Sequence, residues 1–336
     1  MPQAEYYRPL PQVGPARPEG ALTLAGGWTW FSQVEVLSRT AAPRVCAAAD
    51  LPGAALDALT AARPPVAGLA LDAPRLMGIL NVTPDSFSDG GRHFAKADAV
   101  AGAQAMRGAD IIDIGGESTR PGAATVPEDD EIARTVPVIG ELRKAGLVQP
   151  ISIDTRKARV AQAALDAGAD LVNDVSGFTY DPGLAPLCAA RGVPVCTMHA
   201  QGDPETMQDD PRYDDVLLDV FDVLAAQIDR LAGLGIARSA IVADPGIGFG
   251  KTLDHNLALL SRISLFHSLG VPILLGASRK RFIGTLGGGG DGAGRAPGSV
   301  AVALAAVAQG IQILRVHDVA DTRQALTLWQ ACVSGA

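Results

Sequence analysis

From Arg75 onward the chain repeats one unit, a short apolar run of strand length followed by a longer Ala- and Leu-rich stretch of helical length. The strand candidates are 76–81, 111–114, 151–153, 171–172, 193–197, 240–243, 272–275 and 311–314. Helical stretches follow at about 95–107, 128–144, 157–167, 181–190, 213–233, 253–261, 297–309 and 318–331. Strands without polar alternation belong to parallel sheets covered by helices. Eight such units in about 260 residues match the size of a closed (β/α)8 TIM barrel. An open doubly wound sheet shares this periodicity, which does not by itself show closure.

The placement of polar residues favours the barrel. Nearly every polar cluster directly follows a strand: 81–91, 115–122, 154–155, 173–174, 198–202, 244–251, 278–280 and 315–318. In a (β/α)8 barrel all these positions meet at the C-terminal mouth, where active sites sit. Residues 73–336 are therefore expected to form a catalytic barrel. Residues 1–72 depart from the repeat, being rich in proline and carrying Trp28, Trp30 and Phe31. We read them as an N-terminal extension packing on the barrel; a flexible tail is the alternative, although tails seldom carry such aromatics.

Composition narrows the classes. Hydrophobic residues make up 48% of the 336 and aromatic ones 4%, so the core is built from small aliphatic side chains. A net charge of -8 argues against non-specific nucleic-acid binding and a polybasic membrane anchor. No uncharged apolar run reaches the ~18 residues of a membrane span, and the first residues lack a signal-peptide pattern. Cys46, Cys188, Cys196 and Cys332 show neither a CxxC pair nor ligand spacing, as expected of buried free thiols in the cytoplasm.

Four groups of residues carry chemistry. Asn81 ends the first barrel strand, and its amide oxygen is a hard acceptor suited to Mg²⁺. The nine residues after it, 83–91, exceed the usual βα connection, and long loops at the mouth are often lids. The run DIGGESTRPG from Asp113 pairs two glycines with Ser118, Thr119 and Arg120, a set suited to phosphate oxygens, although a polar surface turn looks much the same.

Asp154, Asn173, Asp174 and Asp244 stand at strand ends. One such Asp is usually a helix N-cap. Several in one mouth form a recognition set for a 2-amino-4-oxo ring such as guanine or pterin, because a carboxylate accepts two parallel N–H bonds and an amide both donates and accepts. Lys280, Arg315 and His317 follow strands seven and eight, the usual phosphate position in these barrels. Arg279 and Arg281 read as a solvated helix start. The run DPGIGFGK from Asp244 lacks P-loop spacing, so its glycines read as backbone clearance for a flat ligand against Phe249.

Taken together these runs resemble the dihydropteroate synthase family: LNVTPDSFSDGG from Leu80, IGGESTRPGA from Ile114, ISIDT from Ile151, NDVSG from Asn173, MHAQG from Met198, DPGIGFGK from Asp244, GASRKRFIG from Gly276 and RVHD from Arg315. They stand in family order from about Arg75 to the last helix. Departures are Ala200, where Met is common, and the glycine-rich stretch 287–294. The resemblance implies a pterin site of Asp154, Asn173, Asp244, Met198 and Lys280. It implies a diphosphate site of Asn81, Thr119, Arg120, Arg315 and His317, with Asn81 acting partly through Mg²⁺. Phe87, Pro121, Phe249 and Ser278 would border p-aminobenzoate, and a homodimer is expected.

The implied reaction replaces diphosphate on a pterin methylene carbon by the arylamine. Its catalytic residues would be Asp85, Thr119, Arg120, Lys280, Arg315 and His317, stabilising separated charge rather than activating the amine. A pterin-dependent methyltransferase would share the three acidic and amide positions but would not need the basic cluster. A non-catalytic pterin-binding paralogue is a further alternative, against which the retention of Asn81, Thr119 and Lys280 counts.

Overall fold

The structure, a computed structural model, describes residues 5–82, 100–103, 105–118, 125–202, 206–290 and 292–334. The chain opens with five short strands, β1 (Tyr6–Pro9), β2 (Leu22–Thr23), β3 (Trp30–Phe31), β4 (Gln33–Leu37) and β5 (Arg44–Ala47), and a helix α1 (Gly53–Thr60). All their pairings are antiparallel, β1 and β5 flanking β4, and β2 beside β3. Leu24, Phe31, Val34, Leu51 and Leu59 give this segment a small core of its own.

The extension touches the barrel at particular side chains. Trp28 Nε1 donates to the Val307 carbonyl at 2.9 Å, and Tyr6, fully buried, sets its hydroxyl 2.9 Å from Asp222 and its ring edge-on to Phe221. The aromatic trio therefore divides: Trp28 reaches the barrel, Phe31 fills the local core, and Trp30 donates to Gly14 within the extension. Further along, Val66 and Leu69 pair in a tight turn, and Val66 and Leu71 pack under the barrel against Met77, Ile111 and Ile313.

The barrel strands are β6 (Arg75–Asn81), β7 (Ile111–Gly115), β8 (Ile151–Asp154), β9 (Leu171–Asp174), β10 (Val195–Met198), β11 (Ile241–Asp244), β12 (Leu274–Leu275) and β13 (Ile313–Val316). Each pairs in parallel with its sequence neighbour from β6 to β11, and β12 pairs with β13, which returns to β6. Between β11 and β12 the gap is joined by a bridge from Ala243 to Ile273, with Ala243 N 2.9 Å from Pro272 O. The sheet is closed, so the open alternative falls.

Around it lie α2 (Glu128–Lys144), α3 (Ala158–Asp166), α4 (Leu184–Arg191), α5 (Val216–Gly233), α6 (Leu253–Ser261), α7 (Arg281–Gly287), α8 (Ala296–Ala308) and α9 (Val319–Ser334). Their ends follow local chemistry. Four acids open α2 and Arg143 and Lys144 close it, matching the helix dipole. Asp215 caps α5, and Thr252 with His255 forms a capping box on α6. Helix α7 begins at Arg281, where the sequence reads as a helix start, but its seven residues are too few to show a period and it is absent from the helical stretches of the repeat.

Alternation along the strands separates two environments. Ile112, Ile114, Ile153, Val172, Val195 and Leu314 join the layer shared with the helices. Met77, Ile111, Leu171, Cys196, Val242, Leu274 and Ile313 fill the lower lumen. Two residues further on, the same inward rows carry Ile79, Asp113, Asn173, Met198, Asp244, Gly276 and Arg315. A mostly apolar floor, with Ser152 as its polar member from β8, thus supports a polar ring one step above it.

All four cysteines are free thiols. Cys188 and Cys196 are buried as expected, whereas Cys46 is partly exposed and Cys332 lies on the surface of the last helix. Among the described residues no helix is long and apolar enough to cross a membrane.

Candidate active site

The polar ring is organised around Arg315. From β13 its Nε donates to Asp113 on β7 at 2.6 Å, and its Nη2 to Asp154 on β8 at 2.6 Å. Asn173 on β9 extends its amide nitrogen to the same Asp113 oxygen at 3.4 Å. Asp244 on β11 accepts from Gly246 N at 2.7 Å. A Cβ built on Gly276 would lie 3.4 Å from Asp244 Oδ2 and 3.9 Å from Arg315 Cδ, so the glycine leaves room where acid and guanidinium converge. On the opposite rim, Asn81 Oδ1 and Asp154 Oδ2 both lie 3.7 Å from the Cβ position of Gly115.

Asp113 opens the DIGGESTRPG run but precedes the hallmark run from Ile114, and the sequence assigns it no role. It is fully buried, and its Oδ1 has no hydrogen-bond partner among the described residues. A charge between Ile112 and Ile114, two residues after Ile111, is the signal that points to it.

Burial sets the protonation of the ring. It pushes Asp154 up to about 7, Arg315 opposing and Asp113 reinforcing the shift. Asp244 is raised by the same burial against the pull of Lys280 and the Gly246 N–H. Lys280 is pushed down to about 7 by burial, with Asp244 pulling it back. For Arg315 burial works against the charge, but Asp113 and Asp154 more than offset it and hold the guanidinium charged. The lumen therefore offers one carboxyl group and an amine that change state near neutrality, a second carboxyl raised by burial, and one permanent cation.

Lys280 is the N-cap residue of α7. Its Nζ donates to the Ile247 carbonyl and stands 4.3 Å over the Phe249 ring. The preceding Arg279 takes a left-handed φ of +57°, its N–H held by Ser299 at 2.9 Å and its guanidinium paired with Asp318. Arg279 is thus a tether of the turn rather than a solvated residue. His317 joins the same rim, its N–H and Nδ1 lying 3.2 and 3.0 Å from Ser278 Oγ.

Met198 is buried at the end of β10, and a Cβ on Gly246, whose φ is +67°, would come within 3.2 Å of its Cγ. Asp174 leaves the expected set. It alternates with Asn173 onto the other face and binds Ser176 and Phe178 N–H groups, organising the turn after β9. Asp85, Phe87, Thr119, Arg120 and Pro121 lie outside the described residues.

The stem before residue 119 has its own ionic cluster, which the sequence does not reveal. Glu117 accepts from Val126 N at 2.8 Å, while Lys157 donates to Val126 O at 2.7 Å and to Glu131 at 2.6 Å. Arg156 reaches Glu117 at 3.1 Å. Together these tie the two ends of the 118–125 segment. The ion-paired residues are 26 to 40 positions apart, so spacing gives no clue to them.

A closed barrel with an apolar floor, a ring of buried acids and amide, and cations at its C-terminal rim defines an enzyme that binds a flat, hydrogen-bonding heterocycle. The profile of the pterin binding enzyme family matches residues 77–317, and the chain belongs to that family. Among its relatives is the dihydropteroate synthase of Escherichia coli K12, 47% identical over 268 residues, covering 79% of this chain and 94% of that enzyme. A solved structure of Xanthomonas albilineans dihydropteroate synthase with 4-aminobenzoic acid superposes with a TM-score of 0.75 at 47% identity, covering 80% of this chain and 98% of that one. The same enzyme in complex with 7,8-dihydropteroate superposes at 0.71 with 44% identity, covering 79% and 95%.

Proposed function

We propose that the chain is a dihydropteroate synthase, condensing 6-hydroxymethyl-7,8-dihydropterin diphosphate with p-aminobenzoate to give 7,8-dihydropteroate and diphosphate. The observation that carries this reading is the buried ring of Asp113, Asp154, Asn173 and Asp244 around Arg315, above a largely apolar floor. The buried carboxyl groups accept from an amino and ring N–H edge, and Asn173 serves the mixed edge beside it. Met198 lines the face of the ring, and Lys280, which can give up a proton near pH 7, donates to its oxo group.

Arg315 and His317 stand where the diphosphate would leave, joined in this proposal by Thr119 and Arg120. Asn81 offers a hard oxygen beside Asp154, a donor suited to Mg²⁺ that would take its other ligands from diphosphate and water. When bound, the ion supplies neutralisation of the departing charge. The exocyclic C–O bond breaks, its electron pair leaves with diphosphate, and the arylamine nitrogen forms the new C–N bond and releases a proton to solvent. Lys280 stands over the Phe249 ring at the rim where p-aminobenzoate would sit, but in this proposal it is committed to the oxo group, so the path we favour is dissociative, with Asp85 and Asp154 facing the developing cation. We take the protein to act as a homodimer, the commonest closed assembly. Its unpaired thiols fit the cytoplasm.

Calorimetric titration with the pterin diphosphate tests the site. Wild-type protein should bind it in the presence of Mg²⁺, and Asp244→Asn and Asn173→Leu should each weaken binding at least tenfold. Equal binding by both variants would remove the ring from the pterin site.

A further inference from the structure

The loop between β11 and α6, residues 245–251, is held by two lysines through one residue. Phe249 gives its ring to Lys280 and its carbonyl to Lys251, whose Nζ lies 3.0 Å from that oxygen. Lys251 is 3% exposed and belongs to no step of the reaction above. Its other contacts are His199 Nδ1 at 2.9 Å and, more distantly, His199 O at 3.5 Å. All three acceptors are uncharged. A buried amine among neutral acceptors costs stability that a shorter apolar side chain would not, so its return lies in the geometry it imposes.

The anchor it uses is rigid. His199 is 4% exposed, and its N–H continues the ladder from β11, donating to Asp244 O at 3.0 Å. Its carbonyl lies so close to Gly246 that a Cβ there would sit 1.9 Å from the oxygen. The Phe249 peptide is thus referenced, through Lys251, to the strand end that carries Asp244. On the pocket side the same loop presents the Ile247 carbonyl and the Phe249 ring, which together hold Lys280.

We propose that Lys251 is a positioning residue which, braced on His199, fixes the Phe249 peptide so that the Ile247 carbonyl and the Phe249 ring cradle Lys280 at the pocket wall. The proposal rests on the functional reading above for its kinetic consequences. The titratable groups facing Lys280 are Asp244 from β11, Arg315 from β13 and, from the loop itself, Lys251, whose own ionisation burial depresses. Loss of the cradle lets the Lys280 amine swing toward solvent, so its ionisation returns from about 7 toward the ordinary lysine range.

The test uses full-length Lys251→Met, His199→Asn and His199→Leu, each confirmed folded by circular dichroism. In Lys251→Met and His199→Leu, kcat/KM should fall about 100-fold, the cost of a reacting group displaced by about 1 Å. The Lys280 limb of the pH profile should move upward in both. His199→Asn keeps an acceptor for Lys251 and should retain most of the activity and the wild-type profile. An unchanged pH profile in folded Lys251→Met, or equal effects of the two His199 variants, would overturn the proposal. Should Lys251→Met fail to fold, the His199 pair decides. NMR titration of ¹³C-labelled lysine side chains in the ligand-free protein reads the Lys280 shift without turnover. An inactive wild-type enzyme whose Lys280 resonance still moves in the variants would sink the functional reading and leave the cradle standing.

Discussion

Arg315 and Asp113 sit 202 residues apart in the chain and 2.6 Å apart in the lumen, the guanidinium of β13 meeting the carboxylate of β7. That pair, with Asp154 on the second arm of the guanidinium, makes the pocket possible: acids gathered to read a heterocycle would repel one another without a cation among them.

Removing the cation should therefore cost more than ligand binding. Arg315→Met leaves Asp113 and Asp154 without their partner, and breaking a buried pair costs about 3–5 kcal/mol. The Arg315 side chain keeps 21% exposure, which places the loss toward the lower figure. Urea unfolding should show it. Arg315→Met combined with Asp113→Asn should recover much of the stability but none of the turnover.

Asp154 makes stability depend on pH in a defined window. Its folded pKa of about 7 lies above that of an unfolded aspartate, so its contribution is complete below about pH 4 and is lost as pH rises through 7. Asp154→Asn should gain melting temperature relative to wild type at pH 8 and lose that advantage at pH 5. The same difference at both values would mean that Asp154 is not held protonated by burial.

Lys280 behaves in the opposite sense. Its folded pKa, about 7 against about 10.4 for an unfolded lysine, imposes a penalty that is full below 7 and vanishes as pH rises past 10. Lys280→Met should then be more stable than wild type at pH 6, with the gain gone at pH 10. Pterin-diphosphate binding should nevertheless fall at least tenfold in calorimetry. Wild-type affinity in this variant would remove Lys280 from the site.

The extension should govern stability in two stages. Deleting residues 1–62 removes Tyr6 and Trp28 with their contacts on α5 and α8, and melting temperature should fall while turnover persists. Deleting residues 1–72 also removes Val66 and Leu71 from under Met77, Ile111 and Ile313. That opens the barrel floor and should produce aggregation on gel filtration. A shorter deletion that stayed stable yet lost activity would show the extension reaching the site.

The eightfold repeat and the convergence of Asp154, Asn173, Asp244, Lys280 and Arg315 at one mouth are legible in the sequence, because strand-end positions in a barrel are fixed by topology. Closure is not, since it depends on the single bridge from Ala243 to Ile273. Asp174 reads like its neighbour Asn173 until strand alternation turns it outward. Asp113 and Lys251 escape for the same reason: their partners, Arg315 and His199, are distant in sequence, and each resembles an ordinary strand or loop charge when read alone.

The central claim is tested most directly by incubating the full-length protein with 6-hydroxymethyl-7,8-dihydropterin diphosphate, Mg²⁺ and p-aminobenzoate, and following both diphosphate and the pterin product by mass spectrometry. The account predicts 7,8-dihydropteroate and diphosphate in equal amounts, formed only when both substrates are present and abolished in Arg315→Met. Stoichiometric binding of the pterin with no arylamine adduct at any pH between 6 and 9 would contradict it.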